Sequence, residues 1–183
     1  MTRFPLDYRL FVTGLEARVV EEITVSEAKA RFAQCMREMP EREGQFRLLM
    51  DAAGIDIDAP DWLYAVEQWC AAHAQLHERN ERLLTPAWIS IAWDISLHWG
   101  ETIRALAPSV LSWRLDTMKR SITYSLPCLT GFPLADGAVL APEFSPMYLV
   151  VMLCRKYASG GAMNPGGLFV RTDEIVRADL WPT

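Results

Sequence analysis

The sequence predicts an α+β domain, with N-terminal helices followed by a β-hairpin or small antiparallel sheet packed on helices. Three observations carry that prediction. Apolar residues recur at helical spacing through the first half of the chain, and beyond Pro108 the apolar period falls to two. The third is bulk: 183 residues with 51% hydrophobic and 22% charged content suffice for one domain over residues 1–183 whose core needs no disulfide or metal.

The elements follow in order. Residues 1–23 are ambiguous, with helical spacing only at Leu15, Val19 and Ile23. Thr24-x-x-Glu27 forms a capping box, in which the hydroxyl and the carboxylate each take an orphan backbone N–H, ahead of Val25, Ala28, Phe32, Cys35, Met36 and Met39. Pro40 ends that helix on this reading. A second covers Glu41 to Ala53, and Gly54 stands where a left-handed cap is wanted. Pro60 and Asp61 open a third helix with Trp62, Val66, Trp69, His73 and Leu76 inward. Thr85-Pro86 starts a fourth through Trp88, Ala92, Ile95, Trp99 and Ile103, stopped by Pro108.

Then Leu111, Trp113 and Leu115 alternate with polar residues, as do Ile122, Tyr124 and Leu126, which predicts a hairpin turning near Thr117 to Arg120 with those six side chains on a buried face. Ser145-Pro146 caps a helix from Met147 to Ala158, so apolar that it should lie against the sheet. Residues 159–167 form a Gly-rich loop, and Leu168-Phe169-Val170-Arg171 reads as one more strand.

Charge narrows the partner. Net charge is -5, and the surplus acid lies wholly in the first half: residues 1–91 carry 10 basic and 15 acidic side chains, residues 92–183 carry 8 of each. Such a balance disfavours nucleic acid as a partner. The first seven residues lack the apolar run of a signal peptide, and the longest uncharged apolar stretch, Met147 to Cys154, is too short to span a bilayer. A cytoplasmic location away from membranes is expected, which suits Cys35, Cys70, Cys128 and Cys154 as buried free thiols.

Two stretches carry a resemblance. Gly54 to Trp69 is an acidic turn opening a helix that bears leucine, glutamate and tryptophan, and Ile91 to Ile103 is an apolar helix reaching Gly100-Glu101, followed by Leu111-Ser112-Trp113-Arg114-Leu115. Over residues 54–130 this order is similar to that of small bacterial proteins with an apolar Gly-Glu helix and a Trp-bearing strand, some of which are thought to act as immunity partners of toxins. The chain has His98-Trp99-Gly100-Glu101 where that group usually has aromatic-Leu-Gly-Glu. The resemblance implies an α+β architecture and a bacterial source, and it carries over no catalytic residue.

Candidate chemistry is sparse. Asp94, His98 and Glu101 fall at i, i+4 and i+7 on one helix face, where carboxylate, imidazole and carboxylate could converge on zinc or iron. The same residues with Ser90 also make the polar stripe of any amphipathic helix. His73 and His77 are one turn apart, but no His-Glu-x-x-His pattern joins them, and His73 falls on the apolar stripe as a core residue. Asp51, Asp56, Asp58 and Asp61 lack the spacing of a calcium loop and would serve as anions near a helix start. No Lys-Ser/Thr follows the Gly-rich tract, and no serine sits in a Gly-x-Ser-x-Gly elbow. Gly100 has a structural account, since a missing side chain admits a close neighbour. Trp88, Trp93 and Trp99 point in different directions from one helix, which either leaves some aromatic surface exposed or fills a Trp-rich core.

These readings converge on a non-catalytic, cytoplasmic protein-binding domain without a cofactor. It would meet another protein, a basic toxin being the class that fits, through Asp56, Asp58, Asp61 and Trp62. The alternative is a metal-dependent enzyme built on Asp94, His98 and Glu101, with His73 or His77 supplied by the preceding helix.

Overall fold

The computed structural model describes residues 7–13, 22–133, 143–164 and 166–180, apart from the side chain of Asp179. The chain runs through helix α1 (Val25–Ala53), helix α2 (Trp62–His73), strands β1 (Leu76–His77) and β2 (Asn80–Leu84), and helix α3 (Pro86–Arg104). It continues through strands β3 (Ser112–Leu115) and β4 (Pro127–Thr130), helix α4 (Pro146–Ala158) and helix α5 (Leu168–Leu180). The described residues thus form five helices and two antiparallel two-stranded sheets, a mixed α+β fold. Leu15 and Val19 lie outside them, and Ile23 is buried just before α1 rather than in a helix.

The capping box forms as expected: the Glu27 N–H donates to Thr24 Oγ1 at 3.2 Å, and the Thr24 N–H donates to Glu27 Oε2 at 2.8 Å. Gly54, at φ +73°, closes the other end, with the Ile55 N–H reaching Met50 O at 2.9 Å. Between these ends the two expected helices are one, for Pro40 lies inside a 29-residue helix. An interior proline forfeits a backbone bond and costs about 3 kcal/mol. Burial of Cys35 before it, and of Arg42, Phe46, Leu49 and Met50 after it, keeps the two halves in line.

Helix α3 is the centre of the molecule. Every residue from Ser90 to Gly100 is buried, and the helix packs on α1, α4 and β2. Its start is the expected one, with Thr85 Oγ1 accepting from the Trp88 N–H at 3.3 Å. Trp88, Trp93 and Trp99 leave no aromatic surface: all three are within the core. Helix α4, capped by Ser145, lies chiefly on α3 and α2 and also packs on β2 and β4.

Three further expectations are corrected. Helix α2 stops at His73, which is exposed, and the chain turns into the unforeseen β1–β2 pair, with Leu76 opposite Leu84 and His77 opposite Asn80. The hairpin of residues 110–126 keeps its first strand only: β3 pairs with β4, Leu115 facing Pro127 and Ser112 facing Thr130. Residues 116–126 are instead a run of turns built by short polar side chains. Asp116 Oδ1 accepts from the Met118 N–H at 2.8 Å and Oδ2 from the Thr123 hydroxyl at 2.7 Å, while Ser121 Oγ accepts from the Thr123 N–H. Local bonding of this kind outcompetes a ladder, and Ile122 ends 73% exposed.

The third correction is Leu168–Arg171, which opens α5 instead of forming a strand. Its orphan backbone donors are met from a distance: buried Glu67 of α2 accepts from the Leu168 N–H at 2.9 Å, from the Phe169 N–H at 2.7 Å and from the Tyr157 hydroxyl. A carboxylate at a helix start is favoured by the backbone dipoles as well. The Gly-rich loop serves that contact, because at Gly167, φ +75°, a Cβ would lie 2.9 Å from Glu67 Oε2.

The sequence Gly100-Glu101 acquires a physical meaning here. The Trp113 indole from β3 lies directly on Gly100, where a Cβ would stand 2.2 Å from Trp113 Cη2, and the indole N–H donates to Glu101 Oε1 at 2.6 Å. Adjacent glycine and glutamate make a seat for one tryptophan. Gly100→Ala is expected to lower stability by about 1–3 kcal/mol through overpacking, although alanine favours helix by about 1 kcal/mol. In a Trp113→Ala background the same substitution should raise stability by about 1 kcal/mol. Urea denaturation of the four variants checks the reversal of sign.

Candidate functional site

The polar face of α3 is not solvated. Asp94 is 1% exposed and faces Arg42 of α1, whose Nε donates to Oδ1 at 2.7 Å and whose Nη2 donates to Oδ2, while the Tyr8 hydroxyl donates to Oδ2 at 2.7 Å. Arg42 Nη1 also donates to the Arg9 carbonyl at 2.6 Å, and the Phe11 N–H donates to Ser90 Oγ at 2.6 Å. Two polar residues of α3 thereby hold residues 8–11 across the helices. Burial pushes the Asp94 carboxyl up to about 6, against the pull of Arg42 and Tyr8. Burial works against the Arg42 charge, but the bond to Asp94 and its charge outweigh it and hold Arg42 above its ordinary value.

His98 and Glu101 look elsewhere. His98 Nδ1 lies 2.9 Å from both Glu43 oxygens, with its ring against Phe46 and Trp62 at 4.8 Å each. Glu101 takes the Trp113 indole and the Arg104 guanidinium, at 2.8 Å from Nη2. Asp94, His98 and Glu101 therefore serve three separate sets of partners, and among the described residues no group of three or more His, Cys, Asp and Glu is placed to hold a metal ion. His73 and His77 do not join them: the first ends α2, and the second lies on β1 with Nδ1 accepting from the Arg79 N–H at 3.2 Å. All four cysteines are buried free thiols, and burial pushes Cys35 up to about 12 and Cys128 up to about 11, where thiolate chemistry is suppressed.

The acidic turn is at the surface as a group. Asp51, in the last turn of α1, and Asp56, Asp58 and Asp61, in the connection to α2, are all exposed. Asp58 faces Arg47 with contacts of 3.0 and 3.4 Å, which hold its carboxyl below the ordinary value. Asp56 Oδ1 accepts from the Asp58 N–H at 3.0 Å and shapes the turn. Asp61 occupies the cap position of α2, yet its carboxylate makes no capping bond. Trp62, read from the sequence both as an inward residue of its helix and as part of the interface, is in the core, edge-on to Phe46 and His98, so the inward reading holds and the interface one does not.

A cleft of about 990 Å³ lies between the start of α1, β2, α3, the 119–126 turns and α4. Exposed Arg82, Lys119 and Arg155 line it, together with buried Arg31, whose Nη2 donates to the Ser125 carbonyl at 2.7 Å and whose guanidinium stacks over Trp93 at 5.3 Å. Its floor is apolar, formed by Leu84, Trp93, Leu126 and Met147. These cations come from four elements, so no local spacing marks them in the sequence. The even charge count of the second half conceals Lys119 and Arg155 in the same way.

Arg42→Met should lower stability by about 3–5 kcal/mol, because it strands a buried carboxylate, and Asp94→Leu added to it should restore most of that loss. Urea midpoints of the single and double variants check this. Glu101 supplies a pH signature. Burial raises its carboxyl, but the bonds from Arg104 and Trp113 outweigh burial and hold it below 4.5. A lowered folded value means stability present above 4.5 and lost as pH falls below it. Glu101→Gln should therefore flatten the loss of stability of the wild-type chain between pH 5 and about 3, read from urea midpoints across that range.

No protein family, no curated protein and no solved structure matches this chain.

Proposed function

We propose that the chain is a non-catalytic, cytoplasmic protein-binding domain that meets a basic partner through the acidic turn, as an immunity-type protein meets a toxin. One observation supports this above the others. Asp51, Asp56, Asp58 and Asp61 are all exposed, and Asp61 makes no cap bond, so helix capping does not account for that carboxylate. Among the four, Asp58 faces Arg47 and Asp56 shapes the turn, and a further carboxylate, Glu43, lies 3.4 Å from Arg47. Negative potential gathered on one turn steers a basic protein into encounter and repels nucleic acid. Trp62 takes no part, since its ring is spent in the core.

Proteins captured from the source cell on the immobilised chain supply the partner, and stopped-flow association with it supplies the test. The Asp56→Asn, Asp61→Asn variant should associate about tenfold more slowly at low salt with little change in dissociation, and the difference should shrink as salt shortens the screening length to about 8 Å. Association of the variant at the wild-type rate at low salt would remove the turn from the interface.

A further inference from the structure

We propose that the cleft between α1, β2, α3 and α4 is a binding site for a small anionic amphiphile, an alkyl or acyl chain carrying a single carboxylate-like head. It shares no residue with the acidic turn and does not rest on the reading given to that turn. The first ground is a local reversal of charge. The chain as a whole is at -5, yet the described lining of the cleft holds four cations and a single acid, Glu22. Among the described residues no carboxylate pairs with Arg82, Lys119 or Arg155.

The second ground is the separation of polarity within the cleft. Leu84, Trp93, Leu126 and Met147 are buried at its floor, whereas Arg82, Lys119 and Arg155 are exposed. One face of α4 spells out the same order, since Tyr148, Met152 and Arg155 follow at steps of four and three residues and all line the cleft. Met152 and Ile122 remain 43% and 73% exposed there, apolar surface that an alkyl chain would cover. Arg31 adds a cation inside, held in place by the Ser125 carbonyl and the Trp93 face, so its position is set before any ligand arrives. A volume of about 990 Å³ is the size of a small-molecule site, with room for a chain and its head.

The probes are octanoate, 1-octanol and acetate, titrated calorimetrically into the whole chain and into an Arg82→Gln, Arg155→Gln variant. Both arginines are exposed, and an unchanged thermal midpoint verifies that the variant folds. Octanoate should bind at one site, with octanol at least about tenfold weaker and acetate without measurable heat. The variant should lose octanoate affinity by about tenfold while keeping that for octanol. Absence of octanoate binding, equal binding of octanol, or an unchanged octanoate affinity in the variant would each overturn the proposal. So would a short Leu/Glu peptide that displaces octanoate and binds more tightly, which would assign the cleft to a protein segment. The acidic turn is intact in every arm, so failure here leaves the association test untouched.

Discussion

The fold depends on the ion pair between Arg42 and Asp94. An α-helix buried on every side has to account for each polar group it carries, and α3 carries a carboxylate at its middle. Arg42 neutralises that charge, bonds both of its oxygens and, with its third nitrogen, holds the Arg9 carbonyl. The guanidinium also lies over the rings of Tyr8 and Phe11 at 5.7 and 5.8 Å, so one side chain joins α1, α3 and the N-terminal segment. Its place two residues after Pro40 is consistent with the helix continuing there, since α1 must run on past the proline for Arg42 to reach Asp94. A hydrophobic pair of equal volume could give similar stability, but it would not dictate which helix faces which.

The same logic recurs at other polar groups in the interior. Glu67 reaches from α2 to the first N–H groups of α5, and Trp99 donates to Asp173 at 2.8 Å, so α5 is tied to two helices by bonds that fit one arrangement. Gly100 and Glu101 receive Trp113 and bring β3 onto α3. Ser125, buried with φ at +65°, is kept in that unfavourable region by backbone bonding to Asp116 and by Arg31 on its carbonyl. Glu67, Glu101 and Asp173 each spend a carboxylate on position. The acidic turn and the cations Arg82, Lys119 and Arg155 of the cleft lie instead at the surface.

The two surfaces differ in how charge is used. The turn gathers like charges from eleven consecutive residues, so its field acts at a distance and fades with salt. The cleft gathers cations from four separate elements above an apolar floor, where lower polarizability strengthens short contacts.

Local rules made much of the chain legible without a structure. The capping box at Thr24 and Glu27, the cap at Gly54, the starts at Thr85-Pro86 and Ser145-Pro146, the strand at 112–115 and the exposure of the acidic turn all follow from residues within a few positions of one another. So did the reason for Gly100, whose close neighbour the sequence could anticipate but not name. Two of the failures have one cause, a partner distant in sequence, and a third comes from side-chain bonding within a few residues. Pro40 fails to stop α1 because residues on both sides of it are buried, Leu168–Arg171 is helical because Glu67 caps it from a hundred residues away, and residues 121–126 are turns because Asp116 bonds to them. Asp94, His98 and Glu101 lie on one helix face as the spacing requires, yet whether such a face meets water, metal or other side chains is decided by what packs on it. Periodicity assigns a residue to a face. Only the tertiary structure assigns that face its partner, because burial and long-range hydrogen bonds, not spacing, set the free energy of a polar group in the core.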